Sequence, residues 1–449
     1  MKWSGLVLFS FAVTTTVSAF APTSGKAGRI IVVQAHQESR QLPPLHSSVA
    51  NIIEINEDIT QRDVYSMQEW ASNCGVQTVD GFQLVSEDGT DFGVATEQDL
   101  PAGTSVVVVP NQILLTSWSA AEEFGPYLQQ AENQLAQGGL DYQIPLFRLF
   151  VKILAEFEKG DQSPYFPWLN SLPRRFNNGA AMTYACFECL PPYIAWLSLK
   201  ERQYSVNFQK AAKLIQGCLD ESTVTNRDVL KWAYCVAVTR SFDVNGEKVI
   251  APVADMFNHG TETEVDVGFD DAGNCIMYTT TDVPAGSPLR MSLGDPTNPS
   301  PLFATYGFLD KTSPATFCKL MDKQEEIQAL GLDFSNLLFY KDTGDISAEV
   351  WDVMLYSILG QDPDLRQGFY QAYTSGDMDT KNSYHQQYFP YTLEALKKHV
   401  DGTLRELDEL SFRASSKDPS THPRVPLILQ HNDFVKSTFL KVKRNLDAM

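Results

Sequence analysis

The sequence ADMFNHG at residues 254–260 and the sequence TYGF at residues 305–308 are the most informative motifs for predicting the fold. The first stretch is an apolar run that ends in the polar pair Asn258 and His259, which predicts a strand or a short helix with the pair at its end. Asn and His side chains offer fixed hydrogen-bond donors and acceptors that a buried ligand can use. A lone histidine of this kind is more often a core residue whose hydrogen bonds are satisfied. The pair indicates a functional site only because TYGF follows it in the chain.

The bulk composition indicates an ordinary globular protein. The chain has 449 residues, 43% hydrophobic and 20% charged, which is enough for two or three domains and a sizeable core. The formal net charge of −20 argues against nucleic acid as a partner, because phosphate binding needs basic stripes. An acidic surface suits solubility, or an encounter with a basic segment of a protein partner.

The seven cysteines do not form a recognisable framework. Their odd number and irregular spacing argue against a set of disulfides. Cys186 and Cys189 make one C-x-x-C pair, but a zinc site needs two more ligands at matching spacing. We therefore expect buried reduced thiols and no metal.

The N-terminus has the pattern of a targeting sequence. Lys2 precedes an apolar run and small residues that end before Phe20, so residues 1–19 are predicted to be a signal peptide, too short for a stable membrane anchor. Residues 20–50 are basic and rich in Ser and Ala, which is typical of a transit peptide. This order, with an aromatic residue after the cleavage point, resembles the bipartite presequences of complex plastids. It predicts a plastid protein that is not membrane-bound in its mature form, with secretion as the alternative.

Turn residues predict the β-structure. Strands are expected at residues 92–96 and 104–109, joined across DLPAG at residues 99–103, where Pro and Gly suit a type I turn. DVPAG at residues 282–286 repeats this pattern and is interpreted as the same hairpin chemistry. A further hairpin is expected around residues 270–274, which read DDAGN.

Apolar residues at three- and four-residue spacing predict the helices. A helix is expected at residues 62–75, and a helical region at about 118–235. The C-terminal tail is also predicted to be helical, with helices at residues 350–359, 393–410 and 432–446.

The Asn–His pair followed at a distance by TYGF resembles the SET-domain methyltransferases, in particular the RuBisCO large-subunit lysine methyltransferase branch. That branch has Ser where this chain has Gly260. The resemblance covers about residues 80–445 and implies an α+β fold. It implies a β-rich SET domain at residues 62–312, with a helical insert at about 118–235. An all-helical substrate-binding domain is expected at residues 315–449.

The resemblance also implies the chemistry. The cofactor would be S-adenosylmethionine, and the partner a protein substrate with a target lysine, non-histone and plastid. Only half of the family's usual Gly-x-Gly turn is kept at residues 91–93. The implied cofactor-binding residues are Phe92, Gly93, Asp255, Asn258 and His259. The implied substrate-binding residues are Thr239, Arg240, Phe242 and Ala304, and the implied catalytic residue is Tyr306.

One departure from the family keeps alternatives open. Leu293 stands where the family often has a second tyrosine, and leucine has no hydroxyl to orient an amine. A SET-like cofactor- or peptide-binding module with impaired catalysis is therefore an alternative, and a histidine acceptor is another. A metal hydrolase built on Asp255 and His259 lacks a third ligand and a His-Glu-x-x-His pattern.

Overall fold

A computed structural model describes residues 52–59, 61–316 and 320–449. The predicted signal and transit segments, residues 1–19 and 20–50, lie outside the described residues. Contacts divide the chain into two compact units. The first comprises the described chain up to Arg175, Ser205–Asn258 and Glu264–Arg290, and the second comprises Phe176–Tyr204, His259–Thr263 and Met291–Met449. Every helix of the described residues is too short or too polar to cross a bilayer.

The strands are short and are numbered in chain order. They are β1 (Gln77–Thr78), β2 (Phe82–Val85), β3 (Gly93–Thr96), β4 (Ser105–Val109), β5 (Leu115–Thr116), β6 (Phe242–Val244), β7 (Glu247–Ile250), β8 (Asn258–His259), β9 (Val265–Phe269), β10 (Cys275–Thr279), β11 (Pro288–Met291), β12 (Ala315–Thr316) and β13 (Phe339–Tyr340).

The α-helices carry most of the regular structure. They are α1 (Val64–Asn73), α2 (Ser117–Gln137), α3 (Ile144–Glu158), α4 (Phe166–Ser171), α5 (Tyr184–Phe187), α6 (Pro192–Ala212), α7 (Glu221–Thr225), α8 (Arg227–Arg240), α9 (Pro299–Tyr306), α10 (Gln324–Ala329), α11 (Ala348–Ile358), α12 (Pro363–Ser375), α13 (Met378–Ser415) and α14 (Val425–Ala448).

The first unit contains small antiparallel sheets. One sheet has the order β1-β4-β10-β9, and its inner strand β4 carries four consecutive valines, whose branched side chains favour a buried strand. The predicted hairpin around residues 270–274 is confirmed, because β9 and β10 pair with Cys275 opposite Phe269. Elsewhere β3 pairs with β2 and with β11, and β7 lies between β5 and β6.

The hairpin predicted across residues 99–103 is wrong. The strands on either side of it, β3 and β4, lie in different sheets. The DLPAG segment pairs instead with DVPAG at residues 282–286, where Leu100 and Val283 exchange two backbone hydrogen bonds of 2.8 Å. The aspartate of each segment also accepts the alanine N–H of the other at 2.8 Å. The repeated sequence thus reflects a mutual pairing of two turns.

The predicted helical region at residues 118–235 is confirmed by α2 to α8. Helix α3 lies in the core of the first unit, because residues around most of its circumference are buried. Phe147 of α3 meets the edge of Phe208 at 5.2 Å between ring centroids, and Phe208 meets Tyr234 of α8 at 5.3 Å. These aromatic contacts bury large apolar surfaces and fix how the helices cross.

The helical tail is confirmed in the second unit. The helices predicted at residues 350–359, 393–410 and 432–446 correspond to α11, α13 and α14. Helix α13 begins fifteen residues earlier than predicted, at Met378, where the Asp377 carboxylate accepts the Thr380 N–H as a cap. The early turns lack a continuous apolar stripe, so their periodicity did not predict a helix.

Part of the insert packs in the second unit. The Asn432 amide of α14 donates to the Cys189 carbonyl at 3.0 Å, and Arg424 donates to the Phe176 carbonyl at 2.7 Å. These bonds join residues 176–204 to the C-terminal helices, so the compact units follow contacts rather than chain order. The limits of the SET domain, residues 62–312, stay a prediction.

Candidate functional site

The residue just before the ADMFNHG stretch has a strained backbone. Val253 has a φ of 74°, a left-handed conformation that a β-branched residue rarely adopts. A single turn of 3₁₀ helix follows at Ala254–Met256, and the chain then enters β8 with Asn258 and His259. The sequence predicted either a short helix or a strand that ends in the polar pair. The structure has a short helix followed by a strand that consists of the pair.

Gly93 and Asn258 lie in contact in the first unit. A Cβ added to Gly93 would stand 2.6 Å from the Asn258 Nδ2, closer than real Cβ atoms approach. The Asn258 side chain is exposed, and Phe92 beside Gly93 is half-buried. The structure therefore brings together two segments that the sequence placed at the cofactor, and glycine is what allows their close approach.

Asp255 is buried under Trp168. Its Oδ2 accepts the Trp168 indole N–H at 3.1 Å, while its Oδ1 has no hydrogen-bond partner among the described residues. Burial raises the pKa of Asp255, and the charge of Arg240 acts in the opposite direction. Arg240 in turn donates to the Asp255 backbone carbonyl at 2.7 Å. The carboxylate is thus aligned by Trp168 rather than exposed as a metal ligand.

Arg62 is far from Asp255 along the chain but lies close to this group in the structure. Its guanidinium donates to the Ser171 carbonyl at 2.6 Å and to the Thr90 carbonyl at 3.2 Å, and its Nη2 lies 3.3 Å from the Met256 sulfur. The guanidinium also lies 5.2 Å from the centroid of the Phe92 ring.

The two arginines are unusual because both are desolvated. Burial lowers the pKa of Arg62 to about 9, with the nearby charge of Arg240 as the next cause. Burial also lowers the pKa of Arg240, whose Nε is buried and has no hydrogen-bond partner among the described residues. We call Arg62, Arg240 and Asp255 the arginine cluster. The charges of Asp255 and of nearby Asp91 act against the lowering of both arginine pKa values.

His259 belongs to the second unit, where its ring is held from two sides. Its Nδ1 accepts the backbone N–H of Leu293 at 3.1 Å, and its Nε2 lies 3.4 Å from Asp310 Oδ2. Since Nδ1 is an acceptor, the proton of a neutral ring is on Nε2 and faces the carboxylate. Burial acts to raise the pKa of Asp310, but hydrogen bonds from Thr312 and Thr261 outweigh it and lower that pKa.

Tyr306 and His259 both lie against Phe308. The Phe308 ring centroid is 6.1 Å from that of Tyr306 and 5.7 Å from that of His259. Burial, followed by the charge of Glu201, raises the pKa of Tyr306 to about 12. We call His259, Tyr306 and Phe308 the aromatic cluster. It brings the two sequence motifs together within one compact unit.

Gly307 explains the spacing within TYGF. Helix α9 ends at Tyr306, and Gly307 caps it with a left-handed φ of 82°. A Cβ at this position would lie 2.5 Å from the backbone of Asn177 and Asn178. The Asn178 amide also donates to the Thr305 carbonyl at 3.1 Å. The end of α9, and with it the Tyr306 side chain, is therefore fixed by a neighbouring loop.

The predicted substrate-binding residues occupy the ends of elements. Thr239 and Arg240 close α8, where the Thr239 hydroxyl bonds back to the Cys235 carbonyl at 2.7 Å, and half-buried Phe242 begins β6. Ala304 lies in the last turn of α9 and its carbonyl already accepts the Gly179 N–H at 2.8 Å. The second lone pair of that carbonyl is available to another donor.

Sequence reasoning missed several neighbours of these residues. Arg62 carries no local signal, because its partners lie far away along the chain. Trp168 and Asp310 were detectable in principle, the first in an aromatic stretch at residues 163–169 and the second two residues after TYGF. Groups of His, Cys, Asp or Glu that could hold a metal ion do not occur among the described residues.

Comparison with known proteins concerns both sequence and fold. No protein-family model matches the chain. SET domain-containing protein 4 of Artemia parthenogenetica is 26% identical over 240 residues, which are 50% of this chain and 57% of that relative. The chain thus spans little more than half the length of the curated relative that it matches.

Solved structures match over a longer range. The structure of Rubisco LSMT bound to AdoMet aligns with 86% of this chain and 92% of its own, at a TM-score of 0.58 and 15% identity. Rubisco LSMT bound to sinefungin and monomethyllysine gives the same coverage, with a TM-score of 0.59 and 15% identity. At this identity the likeness concerns the fold, and it confirms the predicted α+β class. The chain therefore shares the fold of the Rubisco LSMT structures, and about half of it is similar in sequence to a SET domain-containing protein.

Proposed function

We propose that this protein is an S-adenosylmethionine-dependent protein-lysine N-methyltransferase that acts on a non-histone plastid protein. The observation that carries the proposal is the aromatic cluster, in which Tyr306 and His259 both lie against the Phe308 ring although they come from separate motifs. The fold shared with Rubisco LSMT, whose solved structures include bound AdoMet and monomethyllysine, supports the same assignment.

The residues of the first unit fit the proposed cofactor. S-adenosylmethionine carries an amino acid end with an ammonium and a carboxylate, and polar atoms without partners suit both. Exposed Asn258 offers an amide donor and acceptor, and Gly93 beside it has no side chain to obstruct a ligand. Asp255 Oδ1 and Arg240 Nε are buried without hydrogen bonds among the described residues. We propose that Asn258 takes part in holding the cofactor, with backbone contacts from Phe92 and Gly93. The resemblance also gives His259, in the second unit, a cofactor-binding role.

The cofactor would supply an activated methyl group. The chain would orient the amine in line with that group and exclude water from the site. In-line transfer to nitrogen needs an uncharged amine, whereas a free lysine has a pKa of about 10.4. Because burial raises the pKa of Tyr306 to about 12, its phenol stays protonated at neutral pH and is not a general base. Tyr306 therefore acts as a hydrogen-bonding partner that orients the amine, whose proton leaves to water.

The acceptor is proposed to be a protein segment. The resemblance gives acceptor-binding roles to Thr239, Arg240 and Phe242 in the first unit and to Ala304 in the second. The acidic chain, with a formal net charge of −20, favours encounter with a basic segment. The plastid assignment comes from residues 1–50, whose signal and transit pattern motivates it.

Transfer of a labelled methyl group tests the proposal. Purified protein is incubated with S-adenosylmethionine that carries a trideuterated methyl group and with a plastid extract, and peptides are analysed by mass spectrometry. We expect a trideuteromethyl group on a lysine of one or a few proteins. Labelling that is equal in the absence of the enzyme would contradict the proposal.

A cofactor-binding module with impaired catalysis is the second candidate, because Leu293 lacks a hydroxyl. The structure assigns this position a backbone contact, since the Leu293 N–H donates to His259. That contact needs no particular side chain. Measurable S-adenosylmethionine binding without transfer to any extract protein would favour this candidate.

The acceptor residue is decided by substitution. Once a labelled peptide is known, a synthetic version with Lys replaced by Arg should accept no methyl group. Continued labelling of that peptide at a histidine would identify the protein as a histidine methyltransferase.

A further inference from the structure

The second unit contains a partly open cavity of about 590 Å³. It is lined by α13 and α14, together with residues of α6, α9 and α11. Small-molecule sites have volumes of roughly 300–1,000 Å³. None of the residues assigned above to the cofactor or the acceptor lines this cavity.

His431 lines the cavity and has a defined tautomer. The neighbouring Asn432 amide donates through Nδ2 to the Cys189 carbonyl at 3.0 Å, which fixes the orientation of the amide. Its Oδ1 therefore faces His431 Nδ1, 3.3 Å away, and accepts a hydrogen bond from the Nδ1–H group. The Nδ1 atom is the protonated one, so Nε2 keeps its lone pair.

This lone pair is the polar group that His431 offers to the cavity. The residue is only 5% exposed, and Asn432 is its single hydrogen-bond partner in the described part of the chain. The ring packs on Phe303 at 4.9 Å between centroids. Burial lowers the pKa of His431 to about 4, so the ring is neutral at pH 7 and Nε2 is an acceptor only.

The charges around the cavity balance. Lys323 and Lys398 are offset by Asp322 and Glu406, and burial lowers the pKa of His399. A lining without net charge gives no advantage to an ionic ligand. Much of the remaining wall is apolar, with contributions from Leu309, Met354, Leu407 and Phe434.

We propose that this cavity binds a small uncharged molecule with an apolar body and one hydroxyl or N–H group that donates a hydrogen bond to His431 Nε2. The apolar wall accounts for affinity through burial of the body. The acceptor accounts for selectivity, because a ligand without a donor leaves Nε2 buried and unsatisfied.

Two naphthalenes test the proposal. The probe 2-naphthol has a hydroxyl donor, and 2-methoxynaphthalene has the same rings without the donor. Binding to the full chain is measured by isothermal titration calorimetry at pH 7. We expect 2-naphthol to bind about tenfold more tightly, since an unsatisfied buried acceptor costs free energy. Equal affinities, or no binding of either compound at millimolar concentration, would overturn the proposal.

Two variants locate the site. In His431→Phe a ring still packs on Phe303 but the acceptor is gone, so the two compounds should bind equally. Gly402 lines the cavity on α13, and a Cβ there meets nothing within 4 Å. Gly402→Leu therefore places its Cβ in open space and its larger side chain at the cavity wall, favours the helix, and should weaken both compounds. Unchanged selectivity in the first variant, or unchanged affinity in the second, would show that the compounds bind elsewhere and would contradict the proposal.

Discussion

The arginine cluster of the first unit and the aromatic cluster of the second hold their polar groups in different ways. In the arginine cluster, Arg62 and Arg240 donate to backbone carbonyls that come from segments far apart in the chain. In the aromatic cluster, Tyr306 and His259 lie against the Phe308 ring. The first cluster contains charge that must be compensated, and the second contains a phenol that burial keeps neutral.

This difference indicates different tasks. A buried cation that bonds to several loops fixes their relative positions, and its loss leaves carbonyls without donors. A neutral phenol among aromatic rings contributes little to holding loops but can orient a reacting group. We therefore expect changes in the arginine cluster to lower stability and cofactor affinity, and changes in the aromatic cluster to lower turnover.

The largest effect on turnover is expected for Tyr306→Phe. Loss of one oriented hydroxyl should lower kcat by about 10²- to 10³-fold, whereas the ring contact with Phe308 and the melting temperature should be retained. Turnover is measured with radiolabelled S-adenosylmethionine and the acceptor identified in the plastid extract. Tyr65→Phe, at a tyrosine that is 72% exposed, serves as the matched control. Equal turnover of the two variants would remove Tyr306 from the reaction.

Arg62→Met should lower the stability of the protein. The change leaves the Ser171 and Thr90 carbonyls without a donor, so we expect the free energy of unfolding to fall by about 1–3 kcal/mol. Urea denaturation measures the loss, and exposed Arg227→Met is the control. If both variants unfold at the same urea concentration, Arg62 does not hold these segments together.

His431 should make the stability of the second unit depend on pH. It packs on Phe303 of α9, the helix that ends at Tyr306 of the aromatic cluster. Burial lowers its pKa to about 4, so the unfolded chain binds the proton more readily. Stability from the neutral ring is complete above about pH 6.5 and is lost as the pH falls towards 4, by about 3 kcal/mol. In urea denaturation across this range, His431→Phe should show a shallower fall than the wild type. Identical slopes would contradict the assignment.

The smallest effect tests the approach of Gly93 to Asn258. Gly93→Ala places a Cβ 2.6 Å from the Asn258 amide, and we expect a loss of about 1–2 kcal/mol in unfolding free energy. Adding Asn258→Ala removes the clashing amide and should restore most of this loss. Gly125→Ala is the control, since a Cβ there meets nothing within 4 Å. A double variant no more stable than Gly93→Ala would argue against direct contact.

Local patterns explain which features the sequence could predict. The helices and the hairpin around residues 270–274 follow from periodicity and turn residues that lie within one segment. The two motifs at residues 254–260 and 305–308 also carry their residue types locally, although only a resemblance related them to each other. In the structure, Phe308 provides the physical link between His259 and Tyr306.

Long-range contacts explain the remainder. The turn residues of DLPAG suit a hairpin and suit pairing with DVPAG equally well, so tertiary structure decides between them. Arg62 precedes α1 without any motif, and its acceptors lie at Thr90 and Ser171, 28 and 109 residues away. Local periodicity carries no information about such contacts.

Isothermal titration calorimetry with S-adenosylmethionine is the most direct test of the proposed function, because Asn258 is proposed to bind the cofactor whereas Tyr306 is proposed to orient the amine. We expect the wild-type protein to bind the cofactor, Asn258→Ala to bind it about tenfold more weakly or worse, and Tyr306→Phe to bind it as the wild type does. Failure of the wild-type protein to bind, or an equal loss of affinity in both variants, would contradict the assignment.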